Sequence, residues 1–165
     1  MNTIPLKNIK QELASLSSAE LQELCLRLSR FKKENKELLI YLLFDSHDEN
    51  GYIQNIKDYM DEQFDLINTK SYFYIRKSIR KILSTTKKFI RYSQKKETEV
   101  ELLIHFCHKM KTFSPSIKNS VQLENMYNRQ IELIKKTIAS LHEDLQYDYN
   151  LIISDLNIFI TKSNT

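Results

Sequence analysis

Residues 116–162, SIKNSVQLENMYNRQIELIKKTIASLHEDLQYDYNLIISDLNIFITK, hold neither glycine nor proline. They place Leu123, Tyr127, Ile131, Ile134, Ile138, Leu141, Leu145, Tyr149, Ile152, Leu156 and Phe159 at steps of three or four. That spacing returns side chains to one side of an α-helix and describes a heptad-like seam with local phase shifts. Read as one helix, the segment runs about 70 Å at 1.5 Å per residue; read as two, it breaks near Gln146 to Asn150. An unbroken helix outreaches a compact body of this size. It would leave the seam of Tyr127, Ile131, Ile134, Ile138, Leu141 and Leu145 for packing or for another chain.

The shortage of turn formers extends upstream. The chain has one glycine, Gly51, and two prolines, Pro5 and Pro115, so few positions permit a sharp turn or a positive φ. Pro5 suits the first turn of a short helix ending near Ser15. Ser17 and Glu20 have capping-box spacing and start a second helix, with Leu21, Leu24, Cys25 and Leu28 on one side. A third helix carries Leu38, Leu39, Tyr41, Leu42, Leu43 and Phe44 and reads as buried over much of its circumference. DSHDENG at 45–51 is the strongest turn signal. Beyond it, a fourth helix at about 52–67 sets Asp58, Asp61, Glu62 and Asp65 opposite an apolar side.

A fifth helix at about 70–92 buries Tyr72, Ile75, Ile79, Ile82, Leu83, Phe89 and Ile90. Its other side is basic: Arg76, Arg80, Lys87 and Arg91 form one row, and Lys70, Lys77, Lys81 and Lys88 the next, with no acid between Asp65 and Glu97. A sixth helix at about 97–113 buries Val100, Leu103, Ile104, Phe106, Cys107 and Met110, and Ser114-Pro115-Ser116 ends it. The expected fold class is all-α: a single-domain helical bundle or short α-solenoid of six to eight helices over 1–165, with a long C-terminal helical segment at about 116–165. The solenoid alternative rests on an internal similarity. Leu26–Ser29, Lys32–Glu34 and Glu37–Ile40 match Ile90–Ser93, Lys95–Glu97 and Glu101–Ile104 at offsets of 64, 63 and 64 residues.

At 165 residues, 41% hydrophobic and 28% charged, the chain is long enough for a core without disulfides or metal. Its apolar runs fall short of the roughly 20 residues that span a membrane. Residues 1–10 lack the apolar stretch of a secretory signal, and both cysteines, Cys25 and Cys107, sit in apolar helical patterns as free thiols. The expected location is the cytoplasm. Of the 25 basic residues 19 are lysine, a bias shared with isoleucine and asparagine, so the distribution of charge says more than the net +4.

Glycine-rich phosphate loops, a nucleophile elbow and a Cys-x-x-Cys pair are all missing from the sequence, which argues against an enzyme and for no cofactor. Glu97, Glu101, His105 and His108 share a side of the sixth helix. Their 0, 4, 8, 11 spacing departs from the Glu-x-x-His pattern and has no partner set on a second helix, so no metal ligand is assigned and a metal-binding helical protein ranks last among the readings. The reading is therefore a non-enzymatic helical interaction or scaffold module that binds another protein or itself through the C-terminal seam. A nucleic-acid-binding protein using Arg76, Lys77, Arg80, Lys81, Lys87, Lys88 and Arg91 ranks second. In the bland version of that second reading the basic side is solvated, or neutralised by the acids of the fourth helix.

Overall fold

The computed structural model describes residues 4–156. Among these the structure is all-helical. It forms α1 (Leu6–Ala14), α2 (Ser18–Phe31), α3 (Lys33–Ile40), a π-helical turn (Tyr41–Asp45), α4 (Glu49–Asp65) and α5 (Tyr72–Ser93). It continues with α6 (Lys96–Thr112), a 3₁₀ turn (Ile117–Asn119), α7 (Val121–Ile138) and α8 (Glu143–Leu156). No described helix is long and apolar enough to cross a membrane. The chain divides into two compact units, residues up to 44 and residues from 45 on.

In the first unit Ser17 caps α2 as its spacing predicts: its hydroxyl accepts from the Glu20 N–H, and the Glu20 carboxylate accepts from the Ser17 N–H at 2.8 Å. No residue of α1, α2 or α3 is buried. The expectation of a third helix buried over much of its circumference is thus corrected. Tyr41 is buried, whereas Leu42, Leu43 and Phe44 are exposed. A unit this small buries only a small fraction of its surface, so its helices stay largely open.

The second unit is built around α6, which packs on α4, α5, α7 and α8. Its Val100, Leu102, Leu103, Phe106, Cys107 and Met110 are fully buried, so its apolar residues serve several neighbours at once. Met60 and Phe64 of α4, Ile75 and Ile79 of α5, and Leu123, Tyr127, Ile131 and Ile134 of α7 complete the core. Phe64 meets Phe106 at 5.8 Å between ring centroids. The N-terminus of α4 is tied to the α5–α6 corner by Glu49, which accepts from Thr98 Oγ1 at 2.5 Å and from the Ser93 hydroxyl, and pairs with Lys95 at 2.8 Å.

The C-terminal segment is two helices, and the break falls at Ala139–His142, earlier than the spacing suggested. There the amides of Ser140 and Leu141 bond three residues back, to Thr137 and Ile138. The side-chain amide of Gln146 donates to the free carbonyl of Leu141 at 2.8 Å. The break folds α8 back onto α6 and α7, where the Tyr127 hydroxyl donates to the Leu156 carbonyl at 2.8 Å. Within the seam Tyr127, Ile131, Ile134 and Ile138 are buried and Leu141 and Leu145 half-buried. Phe159, the last member of the row, lies outside the described residues.

Candidate nucleic-acid interface

Helix α5 buries one side against α4 and α6, with Ile75, Ile79, Ile82, Thr86 and Ile90 inside, and 3.6-residue periodicity then forces the basic rows away from that core. Lys77, Arg80, Lys81, Lys87 and Arg91 are exposed; Arg76 and Lys88 are half-buried, and the Lys88 ammonium lies 5.2 Å from the Phe89 ring centroid.

The acids of α4 do not neutralise these rows. Asp61 pairs with His105 Nε2 at 2.7 Å and Lys109 Nζ at 3.3 Å, both on α6. Asp58 accepts from Gln54 of its own helix at 2.7 Å. Burial raises the Asp61 carboxyl, but the hydrogen bonds and charges of His105 and Lys109 outweigh it and hold the group below its ordinary value. Neither Glu62 nor Asp65 pairs with α5, and Lys57 is turned toward Glu101 at 2.7 Å. Among the described residues Arg76, Lys77, Arg80, Lys81, Lys87 and Arg91 have no acidic partner.

Between α5 and α7 the second unit leaves a groove of about 430 Å³ lined by Arg80, Leu83, Lys87, Gln122, Asn125, Met126, Arg129, Gln130 and Leu133. It adjoins, toward the start of α5, a hollow of about 450 Å³ lined by Phe73, Arg76, Lys77, Arg80 and Gln122. Arg76, Lys77, Arg80, Lys87 and Arg129 thus border two adjoining hollows that share Arg80 and Gln122 and whose linings include no acidic side chain. The α5 end adds partial positive charge, since its first turn has no acidic residue and no side-chain cap. Four of the seven residues singled out from sequence line these hollows. Lys81, Lys88 and Arg91 do not.

Arg129, Gln122 and Asn125 were missed because they come from another helix. Their i, i+3, i+7 spacing on α7 is the polar counterpart of the buried row that includes Leu123, Tyr127 and Ile131, and it was the available signal. The α6 candidates go elsewhere. Glu101 serves Lys57 and Tyr149, His105 serves Asp61, and among the described residues no three His, Cys, Asp or Glu side chains are grouped to hold a metal. Compared with known proteins, the chain matches no family model, no curated protein and no solved structure.

Proposed function

We propose that the chain is a non-enzymatic binding module whose α5–α7 groove takes the phosphate backbone of a nucleic acid. One observation carries this reading: five cationic side chains from two helices line two adjoining hollows, and none is committed to a described acid. Solvated lysines scattered on a surface need no explanation. Arginines and lysines gathered along one groove raise its positive potential and favour an anion there.

Each cation that displaces a counterion adds to the salt dependence. Five contacts give a slope of log K on log salt of about −3.5 for a single strand, or about a hundred-fold loss between 50 and 200 mM salt. Fluorescence titration of labelled oligonucleotides should show this slope, and charge reversal of Arg76, Arg80, Lys87 and Arg129 to Glu should abolish binding. Absence of binding at 50 mM salt, or an unchanged affinity after reversal, would remove the proposal.

A separate observation favours a second reading, that copies of the chain self-associate. Leu24, Leu28 and Phe31 of α2 are exposed, beside a shallow apolar hollow of about 240 Å³ lined by Cys25, Leu28, Leu38 and Leu39 among others. A second copy is the fitting occupant. Glu20 and Arg27 border the same edge of this apolar side, so reversing α2 across a two-fold axis sets the acid of each copy toward the arginine of the other. Light scattering across a concentration series, with Leu28→Lys as control, tests it; a monomer at every concentration ends it.

A further inference from the structure

We infer that the groove is selective for single-stranded nucleic acid, with the exposed ring of Phe73 as its base-stacking platform; this rests on the phosphate-binding reading above. Helix α5 opens with three consecutive aromatic residues that have different fates. The Tyr72 hydroxyl donates to the Ser116 carbonyl at 2.8 Å, which pins the first turn of α5 to the segment leading into α7. Phe73 and Tyr74 have no such anchoring bond. Phe73 is 62% exposed and Tyr74 46%, and their rings meet edge to face at 5.5 Å.

Exposure alone proves little, since isolated apolar residues are common on surfaces. Location decides the matter here: Phe73 lines the same hollow as Arg76, Lys77 and Arg80. The edge-to-face contact with Tyr74 braces the ring, and its exposure leaves it open to a further stacking partner in the hollow it shares with the cations.

A polymer of phosphates alone has nothing to place on that ring. A duplex presents phosphates at this range but keeps its bases stacked inside. A single strand offers both groups together, phosphates to the arginines and a splayed base to the ring, and such stacking tolerates any base. Gln122, whose Oε1 accepts from the Ser120 hydroxyl at 3.3 Å, lines the same hollow and adds a polar group without a charge.

The test uses the full chain and four probes: single-stranded DNA and RNA of roughly 12 nucleotides, a DNA duplex of equal length, and inorganic polyphosphate. Phe73→Ala should weaken both single strands about ten-fold, within the range known for loss of one stacked base, and leave duplex and polyphosphate unchanged. Phe73→Leu, which keeps an apolar side chain without a π face, should lose as much. Because the chain has no tryptophan, the indole introduced by Phe73→Trp reports alone. It should preserve single-strand affinity, and its fluorescence should be quenched by the single strands but not by polyphosphate.

Unaltered single-strand binding by Phe73→Ala and Phe73→Leu overturns the inference. So does an equal loss on polyphosphate, which marks a distorted groove rather than a lost stack. In either case salt-sensitive binding of duplex and polyphosphate by the native chain leaves the phosphate-binding reading standing. A native chain that binds none of the four probes overturns both.

Discussion

Gln130 sits on α7 beside the groove, 4% exposed, with its amide nitrogen on the Met126 carbonyl at 3.3 Å and its Oε1 meeting no donor among the described residues. A buried acceptor left unmatched costs about 1–3 kcal/mol relative to a matched one. Gln130→Leu removes the acceptor, keeps the volume and suits a helix, so it should raise stability by about 1 kcal/mol in chemical denaturation. If the amide serves ligand instead, the same variant should bind single strands more weakly, a gain in stability coupled to a loss of function. A denaturation midpoint at or below that of the native chain would mean that the acceptor is already matched. Nothing in the sequence marked Gln130, because a glutamine within an amphipathic helix reads as surface until the neighbouring helix is placed. Arg76, Lys77, Arg80 and Lys87 were legible for the opposite reason: a basic row opposite an apolar row must point away from the core, whatever the partner helices are.

The α5–α6 corner turns on a non-glycine residue with positive φ. Gln94 has φ 59° and ψ 7°, and its N–H bonds the Ile90 carbonyl at 2.9 Å, the left-handed closure that glycine usually supplies at a helix end. An L side chain there costs roughly 1 kcal/mol. Gln94→Gly relieves it against a smaller gain in unfolded-chain entropy, and thermal unfolding should show a stabilisation of about 0.5 kcal/mol. Gln94→Val, β-branched, should destabilise by more than that. Helix identities were legible throughout because 3.6-residue periodicity is a local property. Their ends were less so. Gly51 read as part of a turn, yet it lies in the first turn of α4, where Asp48 caps its N–H at 3.0 Å; a Cβ there would come within 2.3 Å of the Asp48 carboxylate. The break after Ile138 carried its own signal in Glu143 and Asp144, acids of the kind that open a helix. The continuing apolar rhythm of 116–162 masked it.

At the scale of the whole chain, periodicity tells which side of a helix is apolar but not what covers it. The same kind of apolar row is buried on α7 and left open on α2, and only the number of helices surrounding each decides. This contrast sets the last prediction. Helices α1 to α3 bury no residue, and short helices without tertiary burial are marginal in water. Their amides should therefore open with free energies of roughly 0–2 kcal/mol, against the 5–15 kcal/mol typical of a folded core such as that around α6. Hydrogen exchange at micromolar protein should show α2 exchanging orders of magnitude faster than α6. The thiols should follow the same order: exposed Cys25 is labelled at once, while buried Cys107, whose pKa burial pushes far up, reacts only on unfolding. If a second copy covers Leu24, Leu28 and Phe31, dimerisation couples to this opening by mass action. Protection of α2, and shielding of Cys25, must then rise with protein concentration and vanish in Leu28→Lys, while α6 stays unchanged. Slow exchange in α2 that is independent of concentration would instead mean that the first unit is held by its own chain, and the self-association reading would lose its physical basis.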